Sequence, residues 1–247
     1  MSNAGSDPKR AVVVGSSFAG LTAAFELRKR LDPGVEVVVI EPREKFTFIP
    51  SLIWVPFGMR EPDDVTFDLE PVYTKKGIRF VNESATGFDL EARKVLTSGG
   101  QEIEYDSLLL ATGPRLAFEK IAGLGPHDGY TQSVCNLEHA LLTRDAWQKF
   151  LENPGPVVVG TAQGGSCFGA SYEFLLNTHY RIKKAGLEDV APMTFITAEP
   201  FLGHFGLGGV ADSQQRVEKY FAKLGIEGIP NNVIKEVRDG EIELEGG

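Results

Sequence analysis

The stretch "RAVVVGSSFAGLTAAFELRKRLDPGVEVVVIE", residues 10–41, decides the fold class. Residues 10–15 and 33–41 are short apolar runs typical of buried strands, and the apolar residues of 18–31 recur at helical spacing. A strand, a glycine turn, a helix and a second strand form a βαβ unit, which belongs to a doubly wound parallel sheet. The sequence therefore predicts an α/β fold.

The same pattern returns in the second half of the chain. Residues 156–160 ("PVVVG") and 192–200 ("PMTFITAEP") are predicted strands, and residues 172–186 ("YEFLLNTHYRIKKAG") form a predicted helix that ends at glycine. A second βαβ unit predicts two Rossmann-like domains, of the type that binds FAD or NAD(P), with parallel sheets.

The remaining segments have weaker patterns. Residues 77–113 alternate short strands with turn residues, which predicts a small β meander that returns to a buried strand at 107–111. Helices are expected from near Asn136 to before Pro154 and over 211–225. Residues 232–247 predict a hairpin that turns at "RDG" and stops at "EGG", where a third strand is expected. We therefore expect the chain to be truncated inside its second domain, without a C-terminal part.

Composition excludes several classes of protein. The 247 residues carry a net charge of −9 with scattered basic residues, so we expect no nucleic-acid partner. Two cysteines do not make a disulfide framework. No apolar run approaches the roughly 20 residues of a membrane-spanning helix, and the first ten residues lack the apolar core of a secretory signal.

The turn "GSSFAG", residues 15–20, predicts a nucleotide site. Gly15 permits the tight turn and Gly20 permits close packing of helix and strand, whereas Ser17 replaces the middle glycine and offers a hydroxyl to a phosphate. Glu41 follows about 20 residues later, where an acid accepts the ribose hydroxyls. A tight turn without a ligand, and a surface role for Glu41, stay open as alternatives.

Residues 108–113 ("LLLATG") add a strand that ends in small residues, suited to lying flat against a cofactor. Together these features favour FAD in the first domain. The predicted cofactor-binding residues are Gly15, Ser17, Phe18, Ala19, Gly20, Glu41, Pro42, Ser84, Ala85, Ala111, Thr112 and Gly113. The predicted domains are an FAD-binding Rossmann-like domain over 8–120, a connecting segment and helix over 121–155, and a second Rossmann-like domain over 156–247.

The second turn, "GTAQGGSCFG" at residues 160–169, departs from the dinucleotide pattern. An insertion follows Gly160 and the bulky Gln163 intrudes, which disfavours a pyrophosphate pocket. Glu199 ends the next strand as an NADH-ribose acid would, so NADH stays open. Cys167 lies near a helix N-terminus, which favours a thiolate nucleophile. A buried cysteine that packs as a small hydrophobic residue is the alternative.

Four segments carry a resemblance: "GGSCFGASYEF" (164–174), "TQSVCN" (131–136), "FLGHFGLGG" (201–209) and "FTFIPSLIWVPFG" (46–58). They resemble the sulfide:quinone oxidoreductase family of FAD-dependent flavoproteins, related to flavocytochrome c sulfide dehydrogenase and type-2 NADH dehydrogenases. The likeness extends over almost the whole chain. It implies three cysteines, of which Cys135 and Cys167 match the first two. The third cysteine, a Gly-Asp flavin segment and amphipathic membrane-binding helices belong to the C-terminal part that we expect to be absent.

The resemblance also implies a chemistry. Sulfide would be oxidised through a persulfide or polysulfur bridge on Cys167, and two electrons would pass through FAD to a quinone. Cys135 has either a peripheral catalytic or a structural role, and Glu173 is either a proton acceptor or a surface acid. His139 and His204 match histidines near the sulfide and quinone side and are candidates for proton relay or for packing. No metal site is expected, because Cys and His do not recur at ligand spacing.

Other readings of the family resemblance stay open. They are a flavocytochrome c-like subunit that reduces a haem partner, an NADH:quinone oxidoreductase, and a flavin-binding protein without turnover. The resemblance implies sulfide and quinone as substrates, peripheral membrane contact through the absent part, and assembly into a homo-oligomer. We expect the chain by itself to be inactive.

Overall fold

The computed structural model describes residues 9–245. The stretch 1–8, where no secretory signal is expected, and residues 246–247 of the predicted hairpin lie outside the described residues. The chain forms two compact units, one built from residues up to Thr47 with Thr66–Leu116, the other from Phe48–Val65 with residues from Ala117 onward. The predicted division into domains at 8–120, 121–155 and 156–247 stays a prediction, because compact packing alone does not establish which segments fold independently.

The first unit is built around the predicted βαβ element. Its elements are β1 (Arg10–Val14), α1 (Phe18–Arg30), β2 (Glu36–Ile40), β3 (Lys45–Thr47), β4 (Thr66–Asp68), α2 (Leu69–Lys75), β5 (Arg79–Val81), β6 (Ala85–Asp89), β7 (Lys94–Thr97), β8 (Glu102–Glu104) and β9 (Ser107–Leu110). A parallel sheet has the strand order β5-β2-β1-β9, and β6, β7 and β8 form the predicted antiparallel meander.

Alternate residues of the parallel strands face two separate cores, as the period of two in a strand requires. One core combines strand residues with side chains of α1 and α2: Val13, Val37, Val39, Ala24, Leu69 and Tyr73. The other combines them with the meander: Val12, Val14, Val38, Ile40, Val95 and Ile103. Burial on both faces explains why β1 and β2 are continuous apolar runs.

The expectation of a buried strand at 107–111 is wrong. β9 lies at the edge of the sheet and pairs with β1 on one side. Leu109 is 41% and Leu110 58% exposed. The apolar run predicted a strand correctly, but burial depends on a neighbour at that edge, which no residue between 9 and 245 supplies.

The second unit repeats the architecture. Its elements are α3 (Leu137–Glu152), β10 (Val157–Thr161), α4 (Phe168–Lys184), β11 (Met193–Thr197), α5 (Ser213–Leu224), β12 (Ile226–Ile229), β13 (Ile234–Arg238) and β14 (Glu241–Leu244). Strands β10, β11 and β12 form a parallel sheet, and β13 and β14 form the predicted hairpin. Short 3-10 helices occupy Ile49–Trp54, Pro62–Asp64 and Phe118–Lys120. The prediction of two Rossmann-like folds is confirmed.

Helix α4 begins at Phe168, one turn earlier than the predicted start at Tyr172. Phe168 packs against the core that contains Tyr172 and Leu175, so it extends the apolar face of the helix back to the residue after Cys167. Among residues 9–245, no helix is both long enough and apolar enough to cross a membrane.

Candidate functional site

The turn between β1 and α1 depends on two glycines. Gly15 has φ +100°, and a Cβ there would lie 2.3 Å from the carbonyl oxygen of Ala111. A Cβ on Gly20 would lie 1.9 Å from the carbonyl oxygen of Gly15. No side chain fits at either position, so the backbone of β1, α1 and the end of β9 approach as closely as the sequence predicts.

The first turn of α1 is open to solvent. Ser17 is the N-cap residue, is partly exposed, and makes no side-chain hydrogen bond to the helix. Phe18 and Ala19 are exposed, and the first turn contains no acidic residue. The positive end of the helix dipole is therefore accessible to an anion such as a phosphate.

Glu41 lies directly behind this turn and is only 2% exposed, so it is not a surface acid. Its carboxylate accepts the Ser16 backbone N–H at 2.7 Å and two hydrogen bonds from the Arg43 guanidinium at 2.8 and 3.0 Å. Burial alone would raise the pKa of Glu41, but the hydrogen bonds and charge of Arg43, with the Ser16 N–H, lower it. Glu41 is therefore an ionised group that helps to hold the turn.

Tyr73 supports the same turn from α2. Its hydroxyl lies 2.5 Å from Ser16 Oγ, and burial raises the Tyr73 pKa. Sequence reasoning missed Ser16, Arg43 and Tyr73. Ser16 and Arg43 are neighbours of predicted residues, which is a usable signal, but no local pattern connects Tyr73 with a turn 57 residues away.

The remaining predicted cofactor residues follow other strands of the sheet. Pro42 follows β2, Ser84 and Ala85 follow β5, and residues 111–113 follow β9. Pro42, Thr112 and Gly113 are exposed, and Ser84 is hydrogen-bonded to Ser98 at the start of the meander. All of these residues, with Gly15 and Glu41, come after the carboxyl ends of parallel strands, where open α/β sheets bind ligands.

The second turn is longer than the first. Residues 162–167 separate β10 from α4, whereas residues 15–17 separate β1 from α1. The Gln163 side chain donates to the carbonyl oxygen of Ile234 at 2.7 Å and accepts the Ile234 N–H at 3.1 Å. Gln163 therefore ties the inserted residues to β13.

Cys167 occupies the N-cap of α4, and its thiol is free and exposed. The alternative of a buried, packing cysteine is therefore wrong. Cys135 is also free and exposed, shortly before α3, and its backbone N–H donates to Ser133 Oγ at 3.2 Å. Glu173 is exposed on α4. The structure leaves both thiols chemically accessible within the second unit.

His139 lies in the first turn of α3, and its backbone N–H donates to the N-cap side chain of Asn136 at 2.8 Å. Its ring is buried, meets the ring of His127 edge-on at 5.2 Å, and has no hydrogen-bond partner at Nδ1. Burial, with the nearby His127, lowers the His139 pKa. His127 Nε2 in turn lies 3.5 Å from Glu138 Oε1. The sequence carried no signal for this pair of histidines.

His204 lies beside Glu199, whose side chain is completely buried. Glu199 accepts hydrogen bonds from the Tyr172 hydroxyl at 2.9 Å, from Thr197 Oγ1 at 3.1 Å and from the Gly206 N–H at 3.2 Å. His204 Nδ1 is 3.8 Å from Glu199 Oε1 and has no hydrogen-bond partner. The acid that resembles an NADH-ribose residue is thus occupied by contacts within the protein. Across residues 9–245, no three His, Cys, Asp or Glu side chains are grouped as metal ligands would be.

A glycine turn, an open helix N-terminus and a buried acid at the carboxyl edge of a parallel sheet define a dinucleotide-binding protein. The chain belongs to the pyridine nucleotide-disulphide oxidoreductase family, whose profile matches residues 9–246. The family and the structural likeness described next imply a flavin-dependent oxidoreductase.

Individual relatives agree with the family resemblance seen in the sequence. The chain is 41% identical over 237 residues to the sulfide-quinone reductase of Aquifex aeolicus, covering 96% of this chain and 54% of that protein. It is 30% identical over 194 residues to the mitochondrial sulfide:quinone oxidoreductase of Dictyostelium discoideum, covering 76% of this chain and 42% of that protein. The resemblance to the sulfide:quinone oxidoreductase family is confirmed.

The X-ray structure of the Aquifex aeolicus sulfide:quinone oxidoreductase superposes with a TM-score of 0.88 and 40% identity, covering 96% of this chain and 56% of that one. The chain thus spans about half the length of these relatives.

Proposed function

We propose that the full-length protein oxidises sulfide to zero-valent sulfur and passes the electrons through FAD to a quinone. The observation that carries this proposal is Cys167: a free, exposed thiol stands at the N-cap of α4, in the lengthened turn of the second Rossmann unit. Relatives named for sulfide and quinone chemistry support the same reaction.

Features of the first unit support FAD as the flavin in this proposal. Gly15 and Gly20 let β1, α1 and the end of β9 pack closely, and the amides that open α1 would hold the pyrophosphate together with Ser17. Glu41, ionised and buried, would accept the ribose hydroxyls. When bound, FAD would supply the two-electron acceptor that sulfide oxidation needs and the donor that quinone reduction needs.

Cys167 would carry the sulfur atom. Formation of a bond between Cys167 Sγ and a hydrosulfide sulfur gives a persulfide and releases one proton and two electrons when both reactants are anions. A helix N-terminus favours the thiolate that this step requires. The proton would pass to His139 or His204, which belong to the same unit as Cys167, or to Glu173 on α4. Cys135 keeps either a peripheral catalytic or a structural role in this proposal.

The test uses full-length protein purified with its flavin. Sulfide with a quinone should bleach the flavin and turn over, and NADH should do neither. Cys167→Ser should lower sulfide turnover by more than about a hundredfold, whereas the neighbouring exposed Ser166→Ala should not. Flavin that is bleached by NADH and untouched by sulfide would refute the proposal, as would full turnover by the Cys167→Ser protein.

The alternatives give other outcomes in the same assay. Reduction of a haem protein in place of quinone indicates a flavocytochrome c-like subunit, and no bleaching by either reductant indicates a flavin-binding protein without turnover. The NADH alternative is disfavoured because residues 162–167 lengthen the second turn and Gln163 within it is hydrogen-bonded to Ile234. Peripheral membrane contact, homo-oligomer formation and inactivity of this chain by itself stay predictions.

A further inference from the structure

Glu199 has a fully buried carboxyl group that the proposed chemistry does not use. Its side chain has no solvent exposure, and a buried carboxylate is costly unless hydrogen bonds replace its hydration. Tyr172 and Thr197 donate to Oε2, and the Gly206 N–H donates to Oε1. Donors from a helix, a strand end and a loop therefore converge on one carboxylate.

The loop is the glycine-rich segment 201–209, and it packs on the start of α4. The Gly203 N–H donates to the Tyr172 hydroxyl at 2.9 Å, and the Phe205 and Tyr172 rings meet edge-on at 4.9 Å. A Cβ on Gly206 would lie 3.1 Å from the ring of Phe168. Phe168 directly follows Cys167, so the loop lies against the first residues of the helix that carries this thiol.

The loop contains one strained backbone position, Phe205. Phe205 has φ 55°, a left-handed conformation that costs a non-glycine residue free energy, and Gly206, Gly208 and Gly209 are also left-handed. The Gly206 N–H, directly after Phe205, donates to Glu199 Oε1 at 3.2 Å.

His204 belongs to the same segment. Its Nδ1 is buried without a hydrogen-bond partner and lies 3.8 Å from Glu199 Oε1. The ring also meets Phe201 edge-on at 5.2 Å. Replacement of the Glu199 carboxyl group would thus remove both the acceptor of the Gly206 N–H and the oxygen that lies beside His204 Nδ1.

We infer that Glu199 is a positioning residue: it holds the loop 201–209, and with it His204, against the start of the helix that carries Cys167. The inference rests on the proposed function only where it assigns His204 and Cys167 to sulfide turnover. The packing of the loop does not depend on that assignment.

Hydrogen exchange on this 247-residue chain tests the packing. Glu199→Gln replaces one acceptor oxygen with an NH2 group that cannot accept the hydrogen bonds made to Glu199. Exchange in the loop 201–209 should therefore rise by about tenfold, and exchange in β11 should be unchanged. Glu227→Gln, at an exposed acid of β12, is the matched control and should change neither segment. If Glu199→Gln does not fold, Tyr172→Phe replaces it in the experiment, because this variant removes one hydrogen-bond donor to Glu199. Exchange in the loop equal to that of the wild type would overturn the inference.

A double-mutant cycle on the flavin-loaded full-length protein tests the positioning of His204. Glu199→Gln should lower kcat for sulfide about tenfold with the KM for quinone unchanged, and should cause no further loss in a His204→Ala background. Losses that multiply would show that Glu199 acts independently of His204 and would overturn the inference. Absence of sulfide turnover in the wild type would refute the proposed function, and the exchange experiment would then decide the packing role alone.

Discussion

Replacement of Gly20 by alanine should destabilise the first unit and reduce its ability to hold a flavin. Gly20 is the third residue of α1, and its Cα faces the carbonyl oxygen of Gly15. An alanine Cβ would lie 1.9 Å from that oxygen, whereas ordinary contacts begin at about 3.4 Å. The obstacle is a backbone oxygen, and the Cβ has no rotamer with which to avoid it. The helix itself must therefore move away from the turn.

The size of the effect follows from this overlap. Overpacking in a well-packed region lowers the free energy of unfolding by about 1 to 3 kcal/mol. Because no rotamer change relieves a clash with the backbone, we expect Gly20→Ala to cost about 3 kcal/mol. For a chain of this size each kcal/mol lowers Tm by about 2 to 4 °C, so the Tm of the variant should fall by roughly 6 to 12 °C. The same displacement disturbs the amides that open α1, so the full-length variant should retain less flavin.

The chain contains a matched control. Gly169 is the second residue of α4, and a Cβ there meets no atom within 4 Å. Gly169→Ala should therefore leave Tm unchanged or raise it slightly, because alanine favours helix by up to about 1 kcal/mol. Thermal unfolding of both variants, with the flavin absorbance of the full-length proteins, gives the measurement. Equal Tm values for the two variants would refute the assignment of Gly20 to close helix–strand packing.

Two further perturbations test other contacts. Glu41→Gln removes a carboxyl group whose pKa is lowered in the folded state, because the hydrogen bonds of the turn outweigh the effect of burial. The stabilisation from a lowered pKa is fully present above the unfolded value of about 4.3 and is lost as pH falls through the folded value. In urea unfolding, the free energies of wild type and variant should therefore converge as pH falls below about 4.3. A constant difference across that range would contradict this account. Gln163→Ala leaves the backbone N–H and C=O of Ile234 without their side-chain partner and should cost about 1 to 2 kcal/mol in urea unfolding, and an unchanged midpoint would show that Gln163 does not secure the turn.

Local patterns were sufficient for the elements that their own residues define. The apolar runs and glycines of 10–41 predicted β1, α1 and β2, and the helix start predicted near Asn136 agrees with the N-cap of α3 at that residue. The start of α4 was missed by one turn because Gly169 obscured an apolar face that continues to Phe168. The existence and type of these elements could be predicted because they depend on residues that are neighbours in the chain.

Contacts between distant residues could not be predicted in this way. Tyr73 meets Ser16 across 57 residues, Tyr172 meets Glu199 across 27, and Gln163 meets Ile234 across 71. The sequence shows a polar residue in a helix or an acid after a strand, but it does not show which distant residue will form a hydrogen bond with that side chain. That choice depends on the approach of whole elements, which no local pattern encodes.

By itself, the sequence determined that this protein has two βαβ units, a glycine turn suited to a dinucleotide and a cysteine where the second turn is lengthened. The hydrophobic period, a glycine turn and the start of a helix each depend on residues that are close together in the chain. They can therefore be recognised from the sequence. Tertiary structure alone decided that Glu41 is buried behind its turn, that Leu110 is exposed on an edge strand, and that the buried Glu199 accepts hydrogen bonds from Tyr172 and Gly206. Burial and the partners of a charge are properties of packed neighbours, and these are set only when the elements assemble.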